Sequence, residues 1–477
     1  MTPTAPHSPA AHDVAIIGGG AAGTLVAVQL LRQAPGPLAI AIVEPRPAPG
    51  RGVAYSTLRP EHRLNVIASR MSAFDDAPED FADFLAANPG GDSDGSPLPP
   101  GPVTERFARR RDYARYLQAT LAESPNVDGV VHVSDVALDL GCEGDAFVLP
   151  CASGSLLRAR RVVLATGNGA RGLPLAPAAI SGAPRVIEAW DYAAVAAIDA
   201  DRDVCIVGSG LSMVDAVLTL DARCHRGRIT VLSRHGLMPL AHAAAGRQAG
   251  GVDDLLHVGM RTRMALLRQR ARDAAGAGVP WQWTMDALRH YGQTLWRASD
   301  DAERRRFLRH AQRLWDIHRH RIAPDVAAVL EALRADGRLQ VQAGRLTALC
   351  GDDAAAVLEY RPRGADAGAT LTAGCVVNAT GVDTTLARSG NPLLRAMHGR
   401  GLLQPGPLGM GIATDDHGAV LQADGSVVDG VATLGAPRIG ALWESLAVPE
   451  LRGQAQALAA RMLAADAGAP PSAASRP

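Results

Sequence analysis

Two six-residue loops in this chain have the types and spacing to hold a dinucleotide, and they differ in the charge that follows them. Gly18-Gly19-Gly20-Ala21-Ala22-Gly23 comes after a short apolar run, Asp13 to Ile17, and opens an apolar helix pattern. Gly208-Ser209-Gly210-Leu211-Ser212-Met213 stands in the same place after Asp203 to Val207. Glycines at these positions let a strand turn tightly into a helix, whose free N–H groups stabilise a pyrophosphate. The next apolar run ends in Glu44 in the first copy and in Ser233-Arg234 in the second, each charged residue 26 positions past its loop's first glycine. A carboxylate there accepts from ribose hydroxyls and suits a free 2′-OH, as in FAD or NAD. A guanidinium suits a 2′-phosphate, as in NADPH. One such loop by itself is a common tight turn; two, each with its strand, helix and charged residue in place, specify two dinucleotide sites. Met213 stands where Gly or Ala usually lets helix and strand pack closely.

A second repeat accompanies each loop. Val162 to Gly167 and Val376 to Gly381 are apolar runs that both end in Ala-Thr-Gly, so Thr166, Gly167 and Gly381 fall at the carboxyl ends of strands, where open parallel sheets hold their ligands. Near the C-terminus, Thr433-Leu434-Gly435 reads as another strand ending in glycine, and the helix pattern from Pro449 to Leu463 follows it. That arrangement completes a flavin site around the ribityl chain, although Ala436 stands where an Asp often binds the ribityl hydroxyls.

These units fit a doubly wound α/β chain of two Rossmann-like domains, one for FAD and one for NADPH. The expected organisation is a first FAD segment over 1–198, an NADPH domain over 199–381 and a return to the FAD domain over 382–477. The second domain carries an insertion, about Pro239 to Gly337, that is helical by pattern and holds Trp281, Trp283, Trp296 and Trp315. It is too long for an internal Rossmann connection and is the expected specificity element. Arg106 to Leu121 reads as an amphipathic helix, Gly90 to Pro102 as an irregular loop, and Met1 to Ala11 and Asp466 to Pro477 as disordered ends.

The composition narrows the chemistry. The 477 residues carry 48 basic and 48 acidic side chains, which gives no sign of nucleic-acid or membrane-surface binding. Every basic residue is Arg, so mechanisms that need a Lys Schiff base are excluded. The six cysteines form no C-x-x-C pair, which argues against a disulfide reductase. With no long apolar run and no signal-like N-terminus, the expected location is the cytoplasm, and a homo-oligomer is compatible with the sequence. No metal site is expected: on a helix, His318 and His320 point to different sides.

Three residues outside the loops are candidates for the reaction itself. Asn65 is an uncharged donor and acceptor able to meet the flavin ring or the nicotinamide amide; the plainer reading is a turn residue. His242 follows the second domain's second strand and is either active or incidental. Arg321 closes His318-Arg319-His320-Arg321, which is either a solvated face or a surface that holds an anionic group at the active site.

Taken together, Arg51-Gly52-Val53-Ala54-Tyr55-Ser56, Leu64-Asn65-Val66 with Met71-Ser72, Ser233-Arg234-His235-Gly236, His318 to Arg321, and Trp443-Glu444-Ser445 with Pro449 to Arg452 carry a resemblance. From Val14 to about Leu463 the chain resembles the bacterial FAD- and NAD(P)-binding family that includes flavin-dependent urate hydroxylase and aspartate N-monooxygenase. The resemblance implies the two-dinucleotide fold and NADPH-driven flavin reduction, and it leaves the substrate open. Arg51 lies just past the Glu44 strand, so it is expected near the FAD pyrophosphate or ring. The expected function is an FAD-dependent, NADPH-driven monooxygenase that uses O2 to hydroxylate a small polar, nitrogenous molecule. The alternatives are a reductase passing electrons to a quinone or partner protein, and a non-catalytic flavin-binding redox sensor.

Overall fold

The computed structural model describes residues 11–88, 101–244, 246 and 251–467. Residues 1–10, 90–100 and 468–477, on which most of the expected irregular loop and disordered ends fall, lie outside the described residues. The last helix, Val448–Ala467, does include Asp466 and Ala467.

Two sheets of eight strands repeat one plan. In the first, His12–Ile17 is central, with Ile40–Val43 and Leu156–Leu164 parallel to it on either side. Val130–Val133 extends one edge, and Val427–Thr433 returns from the far end of the chain to extend the other. In the second, Val204–Val207 is central between Ile229–Ser233 and Cys375–Asn378, and Leu339–Gly351 follows Ile229–Ser233. The central strands are mainly apolar because both faces of each sheet are covered: helices pack on one face, and on the other lie strand-built layers, Phe147, Leu149 and Leu157 in the first domain and Leu346, Leu358 and Tyr360 in the second. Ile16, Ile42, Val163, Ile206, Val231 and Val377 are all fully buried.

The second sheet also takes in Val186–Glu188, which pairs with Val376 to Asn378 and so draws in a strand from upstream of residue 199. The amphipathic helix expected from Arg106 begins only at Arg110 and runs to Ala122. Ahead of it, Leu64 and Ala68 donate backbone hydrogen bonds to the carbonyls of Ala108 and Arg106, so that stretch pairs with the 64–68 segment.

The insertion is helical from Asp253–Leu256 onward, and its last helix, Pro324–Ala335, is the Rossmann crossover. Val326, Leu330 and Leu333 pack into the second domain's core, while the preceding helices lie against the C-terminal part of the flavin-side domain. The two links between domains run side by side: Gly169–Ala170 pairs antiparallel with Val382–Asp383, directly after the two Ala-Thr-Gly ends.

Candidate functional site

The two glycine loops are built alike. Gly18 and Gly208 have φ of +108° and +110°. A Cβ on Gly18 would lie 2.3 Å from the carbonyl oxygen of Ala165, and one on Gly208 would lie 2.2 Å from that of Ala379. This explains why each loop has its own Ala-Thr-Gly strand: the alanine carbonyl backs the loop's first glycine. Further along, a Cβ on Gly23 would stand 1.9 Å from the Gly18 carbonyl oxygen, so the first helix rests on bare backbone. In the second copy Met213 is fully buried in the core instead, and helix Leu211–Ala222 packs through its side chain.

Around the first loop, Glu44 is 3% exposed and folded back: Oε2 accepts from the Gly19 N–H at 3.0 Å, and Oε1 accepts from the Arg46 N–H and from Arg46 Nη1, each at 3.1 Å. A carboxylate has four lone-pair sites, so acceptor capacity remains for a ribose. The turn Gly50-Arg51-Gly52 sits over the loop. Gly50 N–H donates to the Gly19 carbonyl at 2.8 Å, and Gly52 Cα is 3.4 Å from where a Gly20 Cβ would stand. Three buried polar atoms here have no hydrogen-bond partner among the described residues: Arg51 Nε, Thr166 Oγ1 and Asn168 Nδ2. Buried donors of this kind are costly unless something accepts from them, and a pyrophosphate or flavin does so. Ala22 and Gly435 are also near neighbours, and the Gly435 N–H is held by Gln454 Oε1 at 3.1 Å. The residues therefore fit an FAD-type group.

At the second loop, Gly210 has open space where a side chain would stand. Ser212 Oγ accepts from Trp190 Nε1 at 3.0 Å, and Ser209 Oγ donates to the Leu237 carbonyl at 2.7 Å. Arg234 is solvent-exposed and makes no hydrogen bond or ion pair among the described residues. Beside it, His235 Nδ1 lies 3.2 Å from Arg363 Nη1. Burial, then Arg363, Arg234 and Arg313, hold the His235 imidazole below its ordinary pKa. Arg363 and Arg313 come from a hairpin and from the insertion, and nothing in the sequence near Arg234 pointed to them. Thr380, between the second Ala and Gly381, donates to the Arg171 carbonyl at 2.8 Å, and the Gly381 carbonyl accepts from the Arg171 N–H at 2.9 Å.

Asn65, His242 and Arg321, distant in sequence, come together. His242 Nε2 donates to the Asn65 carbonyl at 3.0 Å, and its ring lies 5.0 Å from that of Phe107. Burial, then Arg321, push its pKa down to about 4, so at neutral pH the imidazole is uncharged. Arg321 does not lie on a solvated face. Its side chain is 2% exposed, with Nη2 on Asp286 Oδ1 at 2.5 Å and Nη1 on the Gln282 carbonyl at 3.0 Å. Arg319 is likewise paired, with Glu444. Both arginines are therefore held by this chain's own carboxylates, and in Arg321 the Nε is the guanidinium nitrogen with no partner among the described residues.

Next to this cluster a cleft of about 1240 Å3 opens between the insertion and the C-terminal helix. Asp286 and Arg70 line it near the cluster, Arg289 and Glu450 form a two-pronged ion pair at 3.2 Å on its lining, and Arg297 and Arg438 lie further along. Such a mixed lining suits a small polar, charged molecule.

Residues 15–169 match a family model described as FAD-NAD(P)-binding. About 95% of the chain superposes on solved two-dinucleotide enzymes. This is the two-dinucleotide-binding flavoprotein fold. Among these structures is ornithine N-hydroxylase of Kutzneria sp. 744, whose structure includes reduced FAD, NADP+ and L-ornithine; it is 14% identical, with 96% of this chain and 100% of that one covered and a TM-score of 0.64. L-lysine 6-monooxygenase of Pseudomonas syringae is 16% identical over 95% of this chain and 99% of that one, with a TM-score of 0.65. A bacillithiol disulfide reductase of Staphylococcus aureus is 14% identical over 95% and 98%, with a TM-score of 0.54. At these identities the likeness is one of fold. No curated protein matches the sequence.

Proposed function

We propose that the chain is an FAD-dependent, NADPH-driven monooxygenase acting on a small polar, nitrogenous substrate. The observation that carries this reading is the asymmetry of the two loops: a buried carboxylate closes the first, and an unpaired Arg234 with His235 and Arg363 beside it stands at the second. When bound, FAD accepts hydride from NADPH and activates O2. The protein's part is to hold the two dinucleotides at the facing ends of its sheets and to enclose the substrate. The likeness to N-hydroxylases and the helical wall of the cleft support oxygen insertion over electron transfer to a partner. The disulfide reductase among the similar folds does not argue otherwise, since the six cysteines are free and none forms a C-x-x-C pair. Among the described residues no helix is long and apolar enough to cross a membrane, in keeping with work in the cytoplasm.

Two measurements test the reading. Arg234→Ala is expected to weaken NADPH about ten- to a hundredfold, the worth of a charge-assisted hydrogen bond of roughly 1.5–3 kcal/mol, and to spare NADH. Equal losses for both coenzymes would remove Arg234 from the phosphate site. For the reaction class, NADPH consumption, peroxide release and hydroxylamine formation are followed together with small amines and amino acids. A hydroxylated product formed at the expense of peroxide supports a monooxygenase. If peroxide accounts for all the oxygen consumed with every amine, the reductase reading stands instead.

A further inference from the structure

One short helix of the insertion, Gln312–Arg319, touches both dinucleotide halves. At its start, Arg313 Nη2 donates to the Ser209 carbonyl at 2.9 Å, to Ser209 Oγ at 3.1 Å and to the Leu237 carbonyl at 2.5 Å. A single guanidinium edge thus ties the second glycine loop to the segment that follows the Arg234 turn. Further along the helix, Trp315 Nε1 donates to Glu444 Oε1 at 3.0 Å and Arg319 Nη2 to Glu444 Oε2 at 3.2 Å. Glu444 belongs to the flavin-side domain, in the loop between Gly435 and the last helix.

The far anchor is held under strain. Trp443 has φ +60° and ψ −67°, and the Glu444 N–H donates to the Leu442 carbonyl at 2.7 Å, which makes Trp443 the centre of a γ-turn of the rare, strained hand. Backbone of this kind persists only where its surroundings over-determine it. Here Trp443 stacks on Trp296 at 5.0 Å and meets Phe307 edge-on at 5.2 Å, while the Glu444 carbonyl accepts from Gln293 at 2.6 Å. Phe307 begins the π-helical turn Phe307–Ala311, directly ahead of the helix. A π turn inserts one residue into the helical register, and such turns collect at functional sites. The Glu444 carboxylate is 7% exposed; burial would raise its pKa, but Arg319, His320, the Trp315 N–H and Arg289 together hold it below the usual range.

We propose that helix Gln312–Arg319 is a strut between the two dinucleotide sites, with Glu444 a positioning residue for the coenzyme: its contacts with Trp315 and Arg319 fix the helix, and through Arg313 the helix fixes the Ser209–Leu237 wall of the second loop. The inference rests on the reading of that loop as the NADPH site. It goes beyond that reading in assigning coenzyme positioning to a residue of the other domain.

A double-mutant cycle on the FAD-loaded protein tests it, with NADP+ as the probe. Glu444→Gln and Arg313→Ala are each expected to weaken NADP+ binding about three- to thirtyfold at unchanged FAD content, with the double variant little worse than the weaker single one. The change that NADP+ causes in the flavin absorbance band should shrink in Glu444→Gln even at saturation. Trp296→Phe, which keeps an aromatic ring against Trp443 but removes the bond from Trp296 Nε1 to the Gly440 carbonyl at 2.8 Å, should lower stability and leave NADP+ affinity in place. If Glu444→Gln fails to fold because Arg319 is left charged and alone, the paired variant Arg319→Gln with Glu444→Gln removes both charges and takes its place in the cycle. Unchanged NADP+ affinity, losses that simply multiply, or an equal loss in Trp296→Phe overturn the strut while the coenzyme reading stands. Failure of NADP+ to bind the wild-type protein overturns both.

Discussion

Gly210 and Gly208 stand two positions apart in one loop and are glycine for different reasons. Gly208 has a positive φ and a carbonyl where its Cβ would be, whereas Gly210 faces open space. Gly210→Val should therefore fold and keep its FAD while losing NADPH-driven flavin reduction, because the added methyls occupy the approach of the pyrophosphate and not of the chain. Full reduction by NADPH in that variant would show that the coenzyme lies elsewhere. Arg321 calls for a different expectation from the one its sequence context suggests. As a nearly fully buried partner of Asp286, it is first a structural ion, and Arg321→Ala leaves that carboxylate without its cation. Loss of one member of a buried pair costs about 3–5 kcal/mol; Asp286, 26% exposed, can still reach water, so about 2–3 kcal/mol is expected. Urea unfolding of the loaded protein reads this directly, and an unchanged midpoint would mean that the pair contributes nothing.

The elements legible in the sequence were those with a local signature. Strand, glycine loop, helix and charged strand end all sit within about thirty residues of one another, so their pattern fixes them. What stayed hidden was made by packing over long separations: Arg363 meets His235 from 128 positions away, and Glu444 meets Arg319 from 125. No local pattern marks such partners, because each is an ordinary polar residue until the fold brings it into place. The strut helix carries one more such residue. Asp316 is pushed up to about 6 by burial, although Arg313 pulls it down; Glu444 adds to the rise. A carboxyl raised in the folded state lends stability that is complete below its unfolded value of 3.8 and is lost as pH rises through about 6. Asp316→Asn avoids that loss, so its melting temperature should exceed that of the wild type by more at pH 7.5 than at pH 5. An equal difference at both pH values would show that Asp316 titrates normally.

Taken whole, the molecule has to keep two sheets at a fixed distance, since hydride passes only between rings in contact. The paired links Gly169–Ala170 and Val382–Asp383 join the domains on one side. On another, polar groups of the first domain enter the helix behind the second glycine loop. Arg110 Nη1 meets Asp215 Oδ2 at 2.6 Å with side chains 15% and 6% exposed, and fully buried His62 lies 2.9 Å from Thr219 Oγ1 through Nε2 and 2.8 Å from Thr57 Oγ1 through Nδ1. Tyr192, on the short helix Tyr192–Ala196 of the second domain, packs against His62 with ring centroids 5.1 Å apart. A surface pair would add little, but this one is largely buried, and Arg110 without Asp215 is a cation left without its partner at an interface. Asp215→Ala should accordingly uncouple the domains before it unfolds either. Calorimetry is expected to show the second domain melting ahead of the FAD-loaded first, with limited proteolysis cutting first in the links. Because the substitution leaves the first glycine loop untouched, FAD content should hold while the rate of flavin reduction falls. A single transition at the wild-type temperature, with reduction unchanged, would mean that the links and the insertion hold the domains together without this contact.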